Sequence, residues 1–284
     1  MPEPQPALEE VLNEIADLRP LNTVATSILQ ITESDRFSAH ELARVIASDQ
    51  VLTVKMLRLA NSAYYGFPRK ITTVRDAVVL LGFRAVRSTT LASCVIDALE
   101  GTNLIDYREF WHFSVTVGML AEVLANADRA HRDEAFTAGV IHNIGRLALD
   151  QHRPDLLRAS VTHAGRNDVT LHEAQASVIG FTDAQLGGAL ALHWNFPQPL
   201  IDAVAGHVMQ VEALPDPHTV CAHVIRARIF ARSSGLPDGI ERSSRREPPQ
   251  EWTVPPISTA LHRSGGLAGV LQRVDAFLET ALGG

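Results

Sequence analysis

The chain has 284 residues, 46% of them hydrophobic and 20% charged, with a formal net charge of -7 at pH 7. That is enough apolar material for one large core or two lobes, while the acidic balance disfavours a general affinity for nucleic-acid backbones. The two cysteines, Cys94 and Cys221, lie inside apolar runs, which excludes a disulfide framework or zinc ribbon and points to buried thiols in a reducing compartment.

Residues 1–14 read as a tail, rich at first in Pro and Glu and without the basic and apolar blocks of a signal peptide. No apolar run approaches the roughly 20 residues that cross a bilayer, so a soluble, cytoplasmic protein is expected, with no membrane partner.

Helix signals then follow one another. Ser38 and Glu41 have capping-box spacing before a helix at 41–47, and Asp49 is placed to cap a second at 51–61. The Tyr65-Gly66-Phe67-Pro68 segment breaks that helix. Thr73 and Asp76 open a short helix that Gly82 stops, and 84–99 continues as a buried helix. Asp106 caps a long amphipathic helix at 107–126, with Phe110, Phe113, Val117, Leu120 and Leu124 on one face.

Further helices are predicted at 133–149, 154–164, 171–179 behind Thr170 and Glu173, 183–194 behind Thr182 and Gln185, 197–209 and 219–231. At 233–256 Pro, Ser and charge replace the periodic pattern, which predicts a loop or linker. A final helix at 267–282 is placed to dock on the domain or on a partner. The fold class is therefore all-α, a helical bundle with short connections.

Two stretches carry a family resemblance. The run Leu57-Arg58-Leu59-Ala60-Asn61-Ser62-Ala63-Tyr64-Tyr65-Gly66, followed by Ile71 and 77–82 ending at Gly82, is similar to the most recognisable signature of the HD-related output domain (HDOD) family. The second stretch begins at Phe110-Trp111 and runs through 135–147 to Trp194-Asn195-Phe196-Pro197. The resemblance implies an N-terminal lobe at 15–104 peculiar to the family and an HD-like lobe at 105–232, which the linker at 233–256 and the C-terminal helix within 257–284 follow. It also implies a signalling or regulatory module without the enzymatic activity of its HD-type phosphohydrolase relatives.

Those relatives hold divalent cations with imidazoles and carboxylates, because a firmly held ion must lower the pKa of its bound water. The resemblance places their ligand positions at residues that serve that chemistry poorly. The early His falls on Phe113, with His112 about 100° away around the helix. The His-Asp pair reads His142-Asn143, and the late Asp falls near His223. Two further histidine positions of a phosphodiesterase branch appear as Asp183 and His207. Phe113, His142, Asn143, Arg146, Asp183, His207 and His223 are thus the candidates for a relic pocket, with no catalytic residue, cofactor or metal expected. His142 reads best as a buried histidine bonded to Asn143 or a backbone carbonyl. Arg146 reads best as the partner of a structural carboxylate, or else as a grip for a phosphate.

The leading expectation is a binding module for a signalling protein or a nucleotide second messenger, with neither hydrolysis nor stoichiometric metal. Two alternatives remain beside it. One is a residual metal-dependent HD phosphohydrolase or phosphodiesterase. The other is nucleic-acid binding through a helix-turn-helix at 41–47 and 51–61, where Lys55 and Arg58 are the basic residues of the second helix; nucleic acid is not the expected partner. Partner identity and oligomeric state are not encoded in any motif.

Overall fold

The computed structural model describes residues 8–18, 23–30, 39–62, 65, 70–99, 103–128 and 132–282. In chain order these form α1 (Leu8–Leu18), α2 (Thr23–Gln30), α3 (Ala39–Ala47), α4 (Gln50–Ala60), α5 (Val74–Leu81), α6 (Phe83–Ala98), α7 (Tyr107–Asp128) and α8 (Arg132–Ile141). They continue as α9 (Ile144–His152), α10 (Pro154–Asn167), α11 (Leu171–Val178), α12 (Asp183–His193), α13 (Gln198–Gly206), α14 (Val220–Ser233), α15 (Ile257–Arg263) and α16 (Gly266–Ala281). No strand occurs among the described residues, as the helical periodicity predicts.

Side-chain caps start these helices where the sequence marks them. The Asp49 carboxylate accepts from the Leu52 amide at 3.0 Å, and the Asp106 carboxylate from the Glu109 amide at 2.8 Å. Thr73 Oγ1 accepts from the Asp76 amide, while Thr170/Glu173 and Thr182/Gln185 form complete reciprocal capping boxes. The expected box at Ser38 and the signature glycine Gly66 lie outside the described residues.

The signature residues have local work to do. Asn61 donates its Nδ2 to the Ile71 carbonyl and accepts the Ile71 amide on Oδ1, both at 2.7 Å, which closes the connection between α4 and α5. Ser62 caps back onto the Leu59 carbonyl, and Leu59 is buried. Gly82 has a positive φ of 90°, and there the chain turns from α5 into α6. Trp111 is fully buried edge-on to Phe110, with ring centroids 5.1 Å apart. Trp194 packs beside Phe196, and Pro197 ends that turn and starts α13.

Two boundaries differ from the sequence reading, and a third segment is held more firmly than a linker. Residues 8–14 are no tail, since α1 begins at Leu8 and buries Val11 and Ile15. The single helix expected at 133–149 is two. His142 and Asn143 form a turn between α8 and α9, and the Asn143 carbonyl accepts the Arg146 and Leu147 amides to restart the helix. The stretch at 233–256 has little regular structure, but it is strapped down. Trp252 stacks on Phe230 at 4.2 Å, Asp238 is buried, and the Asp106 amide donates to the Gly239 carbonyl at 2.9 Å.

One hydrophobic cluster runs from Val11 to Ala281, so both expected lobes and the last helix share a core. Helix α7 is its axis and packs against α8, α14, α15 and α16. Cys94 and Cys221 are both buried and neither is in a disulfide. Among the described residues no single helix is long and apolar enough to cross a membrane.

Candidate functional site

The turn between α8 and α9 puts His142 at the centre of the molecule with no exposed surface. Its Nδ1 lies 2.6 Å from the Gly139 carbonyl oxygen. A carbonyl only accepts, so Nδ1 carries the proton and Nε2 keeps a bare lone pair. His207 repeats the arrangement at the end of α13, with Nδ1 2.8 Å from the Val204 carbonyl and Nε2 without a hydrogen-bond partner. The two rings stand edge to face, 5.0 Å between centroids. Phe113 from α7 closes the side of His142 at 6.1 Å. Asn143 is also buried, and neither atom of its amide is hydrogen-bonded.

Arg146 emerges one turn later and is fully buried. Its Nε donates to Asp183 Oδ2 at 2.7 Å and its Nη1 to Asp238 Oδ2 at 2.9 Å. The two bonds clamp α9 to the start of α12 and to the strap after α14. Burial by itself would lower the guanidinium's pKa, but the two carboxylates hold it above its ordinary value. The same attraction keeps Asp183 and Asp238 below the usual carboxylate range despite their burial. Such an approach needs Gly145, because a Cβ there would sit 2.0 Å from the Asp183 carbonyl oxygen and 2.4 Å from the Gly187 amide.

Two groups that spacing did not single out complete the cluster. His172, in the first turn of α11, brings Nε2 to 3.6 Å from Asp183 Oδ1, and its ring lies 5.9 Å from that of His207. Arg228 of α14 is pushed down to about 10 by burial and by Arg232 and Arg146. The ligand atoms of His172, Asp183 and His207 lie within 4.8 Å of one another. His172 had only a thin signal, a histidine just behind a capping box; Asp238 had none, since it lies in a Pro- and Ser-rich stretch.

The structure thus brings together Phe113, His142, Arg146, Asp183 and His207, with Asn143 beside them. His223 is engaged otherwise. It is buried with Nε2 on Asp128 Oδ2 at 2.9 Å, and His218 reaches the same oxygen at 2.8 Å. The HD-type dinuclear arrangement does not fit these residues. An amide stands at Asn143, a phenyl ring at Phe113, and the nearby carboxylates are tied to Arg146.

The HDOD domain model matches residues 18–209. The chain belongs to the HDOD domain family. Among solved structures, this HDOD chain superposes on a candidate phosphohydrolase from Shewanella amazonensis SB2B with a TM-score of 0.71 and 22% identity, over 96% of this chain and 97% of that one. An HDOD domain protein of unknown function from Geobacter sulfurreducens gives 0.70 at 22% identity, over 97% and 96%. A candidate signal transduction protein from Marinobacter aquaeolei VT8 gives 0.69 at 22% identity, covering 98% of this chain and 61% of that one. These likenesses establish the fold. An uncharacterised protein of Treponema pallidum (strain Nichols) is 23% identical over 199 residues, and the match spans 69% of the HDOD chain but 39% of that protein.

The two buried imidazoles set a pH dependence. Burial lowers His142 to about 3 and His207 well below its ordinary value. Unfolding returns both to about 6.5, so below that pH the unfolded chain binds more protons than the folded one. Stability is therefore full above about pH 6.5 and falls as the pH drops through 6 and 5. Each histidine contributes up to ~1.4 kcal/mol per pH unit on that slope. Urea midpoints measured at pH 7, 6 and 5 should fall in sequence, and a flat series would contradict the neutral, buried state.

Proposed function

We propose that this HDOD chain is a non-catalytic bacterial signalling module that acts by binding a protein partner or a small ligand such as a nucleotide second messenger. The observation that carries the reading is the Arg146 clamp. A guanidinium with no exposed surface takes Asp183 Oδ2 and Asp238 Oδ2, which leaves the cluster one unbonded oxygen at Asp183 and a fixed positive charge in place of the carboxylate-rich cage that a hydrolytic pair of cations requires. Asn143 and Phe113 supply no charge in compensation.

Binding surfaces are available away from this cluster. A groove of about 530 Å³ between α13 and α14 is lined by Pro199, Met209, Leu214, Pro215 and Cys221. A second, of about 620 Å³, carries Arg242 and Arg246 beside Ser243 and Ser244, donors suited to phosphate oxygens, together with the Glu247 carboxylate, while its Arg232 is held by Asp238 and Glu241. Nucleic-acid binding through α3 and α4 is less well supported. Lys55 is spent on an ion pair with Asp97 and a bond to the Ala281 carbonyl, and Leu52, Met56 and Leu59 are buried.

The test is an assay of the purified chain with cyclic dinucleotides and nucleotides in the presence of manganese, iron or magnesium, alongside His142→Ala. Turnover should stay at background for both proteins, while a pull-down from the native cytoplasm or a cyclic-dinucleotide titration gives saturable binding. Metal-dependent hydrolysis that disappears in His142→Ala would overturn the proposal.

A further inference from the structure

The buried cluster is unbalanced in a way that the clamp does not explain. His207 Nε2, His142 Nε2 and Asp183 Oδ1 are all buried and all lack a hydrogen-bond partner. In the first two the Nδ1 bond to a backbone carbonyl leaves Nε2 with a lone pair and no proton. A carboxylate oxygen likewise only accepts. His172 Nε2 also lacks a hydrogen bond and stands 3.6 Å from Asp183 Oδ1, too long to satisfy either. The buried donors Arg146 Nη2 and Arg228 Nε are bonded to none of these acceptors; acceptors gathered so closely and left unpaired are costly, and they form what a cation needs.

We infer that His172, Asp183 and His207 bind a single borderline transition-metal ion, with zinc as the fitting class. Two imidazoles and one carboxylate oxygen match zinc far better than magnesium or calcium, which take oxygen shells. A modest contraction suffices, because the three ligand atoms already lie within 4.8 Å of one another and an ion bonded to each at about 2.1 Å would hold them roughly 3.0–3.5 Å apart. Asp183 is able to serve both neighbours, since Arg146 takes Oδ2 and Oδ1 remains. The carboxylates of Asp183, Asp238 and Glu241 equal in number the guanidinium groups of Arg146, Arg228 and Arg232 around the cluster. His142 offers a further lone pair on the ring beside His207. His172 is the entry side, being partly exposed where the others are not.

Asp183 and His207 fall on two of the HD-type positions at which the sequence predicts no metal, whereas His172 lies outside them and completes a different set of three. Binding there is independent of the non-catalytic reading, because an ion so placed ties α11, α12 and α13 together whether or not any substrate is turned over.

The experiment uses the full chain, stripped with a chelator and titrated with zinc, and with cobalt as an optical probe. One equivalent should bind, with a visible cobalt band typical of low coordination. Thermal unfolding should rise by about 5 °C or more at a hundredfold excess over Kd. His172→Ala and His207→Gln should each lose the band and the thermal shift, while His218→Ala keeps both. If His207→Gln does not fold, His172→Ala decides, because that side chain reaches the surface and its circular dichroism should remain helical. No saturable binding, or one-to-one binding undiminished in His172→Ala, would overturn the inference. Zinc binding accompanied by hydrolysis would sink the non-catalytic reading and leave this one standing.

Discussion

Arg146→Ala should destabilise the protein by about 3–5 kcal/mol, the cost of leaving buried carboxylates without their counter-ion. Arg146 is fully buried and is the only guanidinium bonded to Asp183 among the described residues, whereas Asp238 keeps Arg232 at 3.0 Å. Loss of the clamp therefore falls hardest on Asp183. The pH dependence has a definite sign. In the wild type both carboxylates are held below their ordinary range, so their contribution is full above about pH 4 and is lost only as the pH falls below it. In the variant an unpaired Asp183 would prefer its proton, so its penalty is largest at neutral pH. The gap between the two proteins, read from urea unfolding, should narrow from pH 7 to pH 4, and Asp183→Asn should rescue part of it. A loss under about 1 kcal/mol at pH 7 would mean that the clamp is not structural.

The second large effect is expected one residue earlier. Gly145→Ala adds a methyl group that would sit 2.0 Å from the Asp183 carbonyl oxygen and 2.8 Å from the Gly187 Cα. Both obstacles are backbone, so no side chain can swing aside. The cost should reach or exceed the ~3 kcal/mol upper end of ordinary overpacking. It should also pry α9 from α12 and so weaken the Arg146–Asp183 pair. The two substitutions touch the same contact, so Gly145→Ala combined with Arg146→Ala should cost less than the sum. Full additivity would show that the glycine acts elsewhere. Thermal and urea unfolding of the three variants make the comparison.

Much of this fold was legible in the sequence because helices announce themselves locally. A threonine followed three residues later by Glu or Gln dictated the starts of α11 and α12, and apolar periodicity gave α7 its buried face. The break at His142 and Asn143 was not legible, since both flanks are apolar and the turn is fixed by contacts with α12 and α13 rather than by a Gly or Pro at the turn itself. The helix α1 was obscured by the Pro- and Glu-rich start, although Val11 and Ile15 have the spacing of one buried face.

The candidate site divides in the same way. His142, Arg146, Asp183 and His207 were found through a family pattern, and the backbone-bonded imidazole and carboxylate-paired arginine expected there are what the structure shows. His172 and Asp238 were missed because nothing in one dimension marks a residue whose role comes from a neighbour far along the chain. Asp238 lies 92 positions beyond Arg146.

That separation has a bearing on how the molecule comes to be made. As the polypeptide leaves the ribosome, the positive charge on α9 is synthesised before either of its counter-ions. The second of these follows only after α14. The Arg146 cluster therefore gains its second carboxylate only once a late segment has been made. A fragment ending at residue 209, where the family match stops, would hold Arg146 by Asp183 alone.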